Sequence, residues 1–111
     1  MKILVSGLTA ACMLTLFAAS ANAALDDASA QDIAKKAGCT TCHSVDKKGV
    51  GPSYKDIAAK RKNEADAIAT VEKAVRAGGK GTYGAIPMPP NPASKINDAD
   101  LHSLVEWALA K

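Results

Sequence analysis

The segment Cys39-Thr40-Thr41-Cys42-His43 constrains this chain more than any other part of it. Two thiols separated by two residues, followed at once by histidine, read as a covalent haem attachment site. Each thiol can add across one vinyl group on the same edge of a porphyrin, and the adjacent imidazole then faces the iron from that side. A chain built on such a segment has to enclose a flat, largely apolar cofactor. Rival uses of these residues fit less well. A thioredoxin-like redox pair expects a strand–helix unit around it, and the sequence is helical on both sides. A structural zinc site takes four ligands, and beyond Cys39, Cys42 and His43 only His102 is a customary partner. A disulfide across so short a loop would constrain little chain.

The amino terminus has the order of a secretory leader. Lys2 precedes an apolar run from Ile3 to Ala19, and Ala21-Asn22-Ala23 offers small residues for cleavage after Ala23. A retained membrane span needs about 20 predominantly apolar residues, and Ser6, Gly7, Thr9 and Thr15 interrupt this run. The expectation is therefore residues 1–23 as a leader, removed on export to the periplasm, and 24–111 as one small domain without stable membrane insertion. Cys12 and Phe17 leave with the leader. The remaining aromatics are Tyr54, Tyr83 and Trp107, too few for a self-sufficient core, so a domain of this size needs a staple such as a cofactor. A net charge of +3 is too mild to argue for nucleic acid. The blocks Lys47-Lys48 and Lys60-Arg61-Lys62 read as solvated surface, and no nucleic-acid-binding motif is present.

Helical spacing dominates the rest, with no convincing strand alternation. Ser29, with Asp32 three residues on, is expected to cap a first helix that Gly38 ends, with Ile33, Ala34 and Ala37 as its apolar face. Ser53 with Asp56 opens a second. Asn63 with Asp66 is expected to open a third, on which Ile68, Val71 and Val75 share a face until Gly78-Gly79 stops it. Asn97 with Asp100 opens the last, where Ile96 and Leu101 form a hydrophobic staple and Leu101, Leu104, Val105 and Ala108 face the core. The Gly- and Pro-rich stretch from Gly78 to Ala93 lies between two helices that must pack, which points to an ordered loop that holds something.

That loop carries Ile86-Pro87-Met88-Pro89-Pro90. Methionine is ordinarily core filler, but one held among three prolines in a surface loop is poorly placed for that. The prolines fix φ and stiffen the segment that presents the sulfur. Thioether and imidazole form an axial pair that raises the reduction potential of a haem, so Met88 is the candidate sixth ligand opposite His43. Met1 and Met13 lie in the leader. His102, near the edge of the apolar face of the last helix, is the lesser alternative.

The mature chain resembles the small bacterial class I cytochromes c of the c-551/c-552 type over essentially its whole length. The matching pieces are Gly38-Cys39-Thr40-Thr41-Cys42-His43, Val50-Gly51-Pro52-Ser53-Tyr54-Lys55-Asp56, Gly84-Ala85-Ile86-Pro87-Met88-Pro89-Pro90-Asn91, and a last helix carrying Trp107. The resemblance implies a compact all-α fold of four to five helices wrapped around one covalently attached haem c. It implies Cys39 and Cys42 as thioether anchors and His43 and Met88 as axial iron ligands. By the same match the Pro52 carbonyl accepts the hydrogen bond of the second His43 nitrogen, and Asn91 donates towards the Met88 sulfur. Two departures stand out. Tyr83 replaces a tryptophan that family members commonly place near a haem propionate. Ala34 stands where some members have a phenylalanine, which suggests a looser contact between first and last helices.

The function so implied is one-electron transfer by a monomeric periplasmic carrier rather than an enzyme. A quinol-oxidising complex would be the donor, and a terminal oxidase or soluble reductase the acceptor. Lys47 and Lys48 could steer acidic partners at low salt. The rival from another class is a haem sensor or weak peroxidase in which Met88 is labile.

Overall fold

The computed structural model describes residues 24–111; the expected leader, 1–23, lies outside the described residues. Four α-helices follow one another: α1 Asp27–Lys36, α2 Tyr54–Arg61, α3 Ala67–Ala77 and α4 Asp98–Leu109, with a single 3-10 turn at Cys39–Thr41. Among the described residues the sole β-type pairing is an isolated antiparallel bridge between Gly79 and Met88. The all-α expectation, four to five helices, is met.

Two helix starts differ from the sequence reading. Asp26, not Ser29, caps α1, accepting from the Ser29 backbone N–H at 2.7 Å and from its hydroxyl at 2.9 Å. A carboxylate serves both as hydrogen-bond acceptor and as a negative charge at the positive helix end, so it displaces the serine. Asn63 does not open α3, which starts after Asp66 without a side-chain cap. The chain there is still turning out of α2, held by Glu64 N–H to the Arg61 carbonyl at 2.9 Å and by Arg61 Nη1 to Glu64 at 2.8 Å. The other two caps form as expected. Ser53 and Asp56 make a reciprocal capping box on α2, and Asn97 Oδ1 accepts from Asp100 N–H at 2.8 Å on α4.

The core lies where α1, α2 and α3 meet α4. Leu101, Leu104, Val105, Trp107 and Ala108 are buried on α4, with Ile96 beneath its cap. Against them α1 presents Ala30, Ala34 and Ala37, at most 2 % exposed, with Ile33 only partly buried at the margin. Small residues on one helix let the other approach closely, so the α1–α4 contact is closed at Ala34 rather than loose. Trp107 Nε1 donates to Asp27 Oδ1 at 2.7 Å and Lys111 Nζ reaches the same oxygen at 2.6 Å, latching the start of α1 to the end of α4. No helix among the described residues is long and apolar enough to cross a membrane.

Candidate haem site

A cleft of about 420 Å³ runs between the His43 segment and the Met88 loop, floored by α2, α3 and α4. Its walls include Cys39, Cys42, His43, Pro52, Tyr83 and Met88. The sequence-named ligands, anchors and haem-edge residues thus share one enclosure, while Asn91 lies behind the Met88 loop.

The first wall is set by backbone geometry. Gly38, at φ 80°, reverses the chain after α1. The 3-10 turn then closes with Cys42 N–H to the Cys39 carbonyl at 3.2 Å and His43 N–H to the same oxygen at 3.0 Å. Both thiols and the imidazole leave a single turn. His43 Nδ1 lies 2.7 Å from the Pro52 carbonyl; a carbonyl only accepts, so Nδ1 is the donor, which leaves Nε2 as the ring nitrogen free to bind a metal. Tyr54 stacks on the imidazole at 5.9 Å between centroids and meets Trp107 edge-on at 5.3 Å. Gly51 passes directly over the ring: a Cβ there would lie 2.6 Å from His43 Cε1. The imidazole is therefore fixed on three sides.

Met88 lines the same cleft from the Gly- and Pro-rich loop. Its backbone pairs with Gly79 in both directions, at 2.8 and 3.0 Å. Gly78, at φ 67°, lets α3 end against the loop. Asn91 is buried, and its side-chain amide donates to the Pro89 carbonyl at 3.0 Å and the Val75 carbonyl at 3.3 Å, joining the loop backbone to that of α3. Arg76, which the sequence did not single out, binds the Asn91 and Ile96 carbonyls at 3.0 and 2.7 Å and Asp98 at 2.6 Å. It ties α3, the Met88 loop and the start of α4 together. Its sequence signal, a basic residue in the last turn of a helix, is shared with most helices. The long loop is thus ordered, as its place between packing helices required.

His102 lies outside the cleft. Its Nδ1 is 2.6 Å from Glu72 Oε1 and its Nε2 3.5 Å from Glu106 Oε1, a seam between α3 and α4. Arg61 likewise departs from expectation: its side chain is only 18 % exposed and lines the cleft, whereas the Lys60-Arg61-Lys62 block read as solvated surface.

The lining fits a haem. Cys39 and Cys42 are free thiols. Burial pushes the Cys39 thiol up, with Lys95 pulling the other way, so it lacks the depressed pKa of a redox-active dithiol. The lining is predominantly aliphatic, from Ile57, Val71, Val75, Leu101 and Leu104 among others. The hydroxyls of Tyr54 and Tyr83, both lining the cleft, are buried without a hydrogen-bond partner. Orphaned buried donors of this kind point to a polar group brought in from outside the chain. Burial, and secondarily Cys39, push the Tyr54 phenol up to about 12, so it stays protonated.

Fold and donor set together define a small all-helical haem protein. The family model for cytochrome c matches residues 27–109, and the chain belongs to the cytochrome c family, as a small class I member that carries electrons on one covalently attached haem c. It is 44% identical to cytochrome c-552 of Nitrosomonas europaea over 97 residues, 86% of this chain and 92% of that relative. It is 46% identical to cytochrome c2 of Rubrivivax gelatinosus over 78 residues, 70% of this chain and 92% of that protein. The crystal structure of wild-type Nitrosomonas europaea cytochrome c552 superposes with a TM-score of 0.67 at 44% identity, over 72% of this chain and 96% of that one.

Proposed function

We propose that the chain is a periplasmic one-electron carrier whose iron is held by His43 on one side and Met88 on the other, with Cys39 and Cys42 as thioether anchors. The observation that supports this reading is the cleft itself, whose lining includes both the Nδ1-protonated imidazole and the proline-flanked thioether. The bound haem supplies reversible exchange of one electron between ferric and ferrous iron. The protein's part is to hold the geometry the same in both states. Pro52 fixes the tautomer and orientation of His43 and raises its basicity. Asn91, Arg76 and the Gly79 pairing hold the loop that aims the Met88 sulfur. The aliphatic lining limits water and favours the less charged ferrous state.

Export of residues 1–23 accounts for the location. A quinol-oxidising membrane complex suits the donor role and a terminal oxidase or soluble reductase the acceptor role, each met as a monomer through a brief, small interface. Lys47 and Lys48, exposed beside the His43 segment, suit acidic partners.

The test is spectroscopic. The oxidised protein is expected to show the sulfur-to-iron charge-transfer band near neutral pH. Met88→Ala is expected to lose it, lower the midpoint potential and open the iron to carbon monoxide. An unchanged spectrum and potential in that variant would remove Met88 as a ligand.

A further inference from the structure

Two polar rungs join α3 to α4 away from the cleft. Arg76 Nη2 meets Asp98 Oδ1 at 2.6 Å, and His102 Nδ1 meets Glu72 Oε1 at 2.6 Å. Residues 72 and 76 are one helical turn apart, as are 98 and 102, so the rungs stack along one seam of an antiparallel helix pair. Glu106, a further turn along α4, brings Oε1 to 3.5 Å from the other imidazole nitrogen, Nε2. Neither haem attachment nor axial ligation uses His102 or its two carboxylates. We propose that His102 is a proton-operated rung: charged, it ties Glu72 to Glu106 and fastens α3 to α4; neutral, it releases one of the two.

The first argument is a count of donors. A carboxylate only accepts, a neutral imidazole carries one N–H, and an imidazolium carries two. Both nitrogens of His102 face a carboxylate oxygen, so the neutral ring always turns a lone pair toward one of them. Only the protonated ring donates on both sides, and it sets a positive charge between two negative ones. The 2.6 Å contact is short enough for a charge-assisted hydrogen bond, and the 3.5 Å contact is a looser ion pair. Arg76 has no such choice, because a guanidinium stays charged. One rung is thus permanent and its neighbour conditional. Histidine is the side chain that changes charge between about pH 5 and 8. Among the described residues, the charged groups facing the ring are Glu72 from α3 and Glu106 from α4, with Arg76 and Asp98 one turn away.

The second argument is what α3 carries. Val71 and Val75 line the cleft. The Val75 carbonyl accepts from the Asn91 backbone N–H at 3.1 Å and from its side chain at 3.3 Å. A clasp on the solvent side of α3 therefore braces the helix on which the Met88 loop is hung. His102 is 47 % exposed, so its proton exchanges with water directly and screening keeps the effect modest.

The experiment compares the haem-loaded parent with Glu72→Gln and Glu106→Gln. The imidazole C–H resonances of His102 are followed by NMR in the reduced proteins across the histidine range. The parent ring is expected to keep its proton to higher pH than in Glu72→Gln. Glu106→Gln should show a smaller change in the same direction, since its contact is longer. Denaturant unfolding reads the effect on the seam. A proton held more tightly in the folded chain stabilises it fully at the acid end of the window, and that contribution is lost as the ring deprotonates. Glu72→Gln should therefore raise the unfolding constant about two- to fivefold at the acid end, the range for part-exposed ion pairs, and less at the alkaline end. Both proteins keep His102, so its chemistry in the unfolded chain cancels. If His102 titrates alike in the parent and Glu72→Gln, or if the ratio of unfolding constants is the same at both ends of the window, the proposal is overturned. Neither result bears on His43 or Met88, which the sulfur-to-iron band reports separately.

Discussion

Replacing Gly78 by alanine probes how the Met88 loop is held against α3. Gly78 sits at φ 67°, ψ −174°, a region essentially confined to glycine and costing other residues about 1–3 kcal/mol. A Cβ there would also meet the Met88 carbonyl oxygen at 2.5 Å, the Pro90 nitrogen at 2.8 Å and the Pro89 carbonyl carbon at 2.9 Å. All three are backbone atoms of a proline-stiffened segment, so no rotamer change relieves the overlap. Displacing them adds about 1–3 kcal/mol, the range for overpacked sites. The two contributions together come to about 2–6 kcal/mol. At about 4–8 °C per kcal/mol for a domain of this size, even the lower bound moves the thermal midpoint by about 8 °C. Gly79 supplies the control, because a Cβ there meets nothing within 4 Å; Gly79→Ala should stay within about 0.5 kcal/mol of the parent. Denaturant unfolding of the three haem-loaded proteins measures the difference, and the sulfur-to-iron band reports whether the loop has moved. If Gly78→Ala unfolds at the same denaturant concentration as Gly79→Ala with the band unchanged, the steric argument is wrong.

Gly51→Ala places a Cβ 2.6 Å from His43 Cε1, so the ring must tilt off Pro52; holoprotein yield and midpoint potential should both fall, and parent-like values of both would count against a packed imidazole. Ser53→Ala removes half of the α2 capping box and is expected to cost about 1 kcal/mol in denaturant unfolding; no change would mean the cap contributes nothing. Hydrogen bonds from Lys111 and then Trp107 hold the Asp27 carboxyl below its usual 3.8. That contribution is complete above the unfolded value and fades as the pH falls through 3.8 to the lower folded one. Stability of Asp27→Asn should therefore depend less on pH in that acid window, and a curve parallel to the parent's would refute the linkage.

The haem motif, the Met88 loop and two of four helix starts were legible because their signals are local. Ser53 and Asn97 each stand alone as the obvious acceptor before an apolar run. Where two acceptors compete, as Asp26 does with Ser29, spacing cannot rank them, and the helix-end charge decides. Asn63 misled because an Arg61–Glu64 ion pair prolonged the exit from α2, and such a pair looks like any two surface charges in a sequence. The same blindness hid Arg61 in a basic block and Arg76 in a helix terminus. Their partners are backbone carbonyls, a buried phenol and distant segments, none of which leaves a pattern near the arginine. The Gly79–Met88 pairing was equally silent, since one bridge has no alternation to read.

Asp27 receives both Trp107 and Lys111, so the two ends of the domain share one anchoring carboxylate. A circularly permuted chain, with a short linker across that junction and new termini in the exposed turn at Asn63–Ala65, would keep every group that lines the cleft. Conversely, a bulky tag fused directly after Lys111 would press on the latch, and an affinity handle belongs at the end of a flexible spacer.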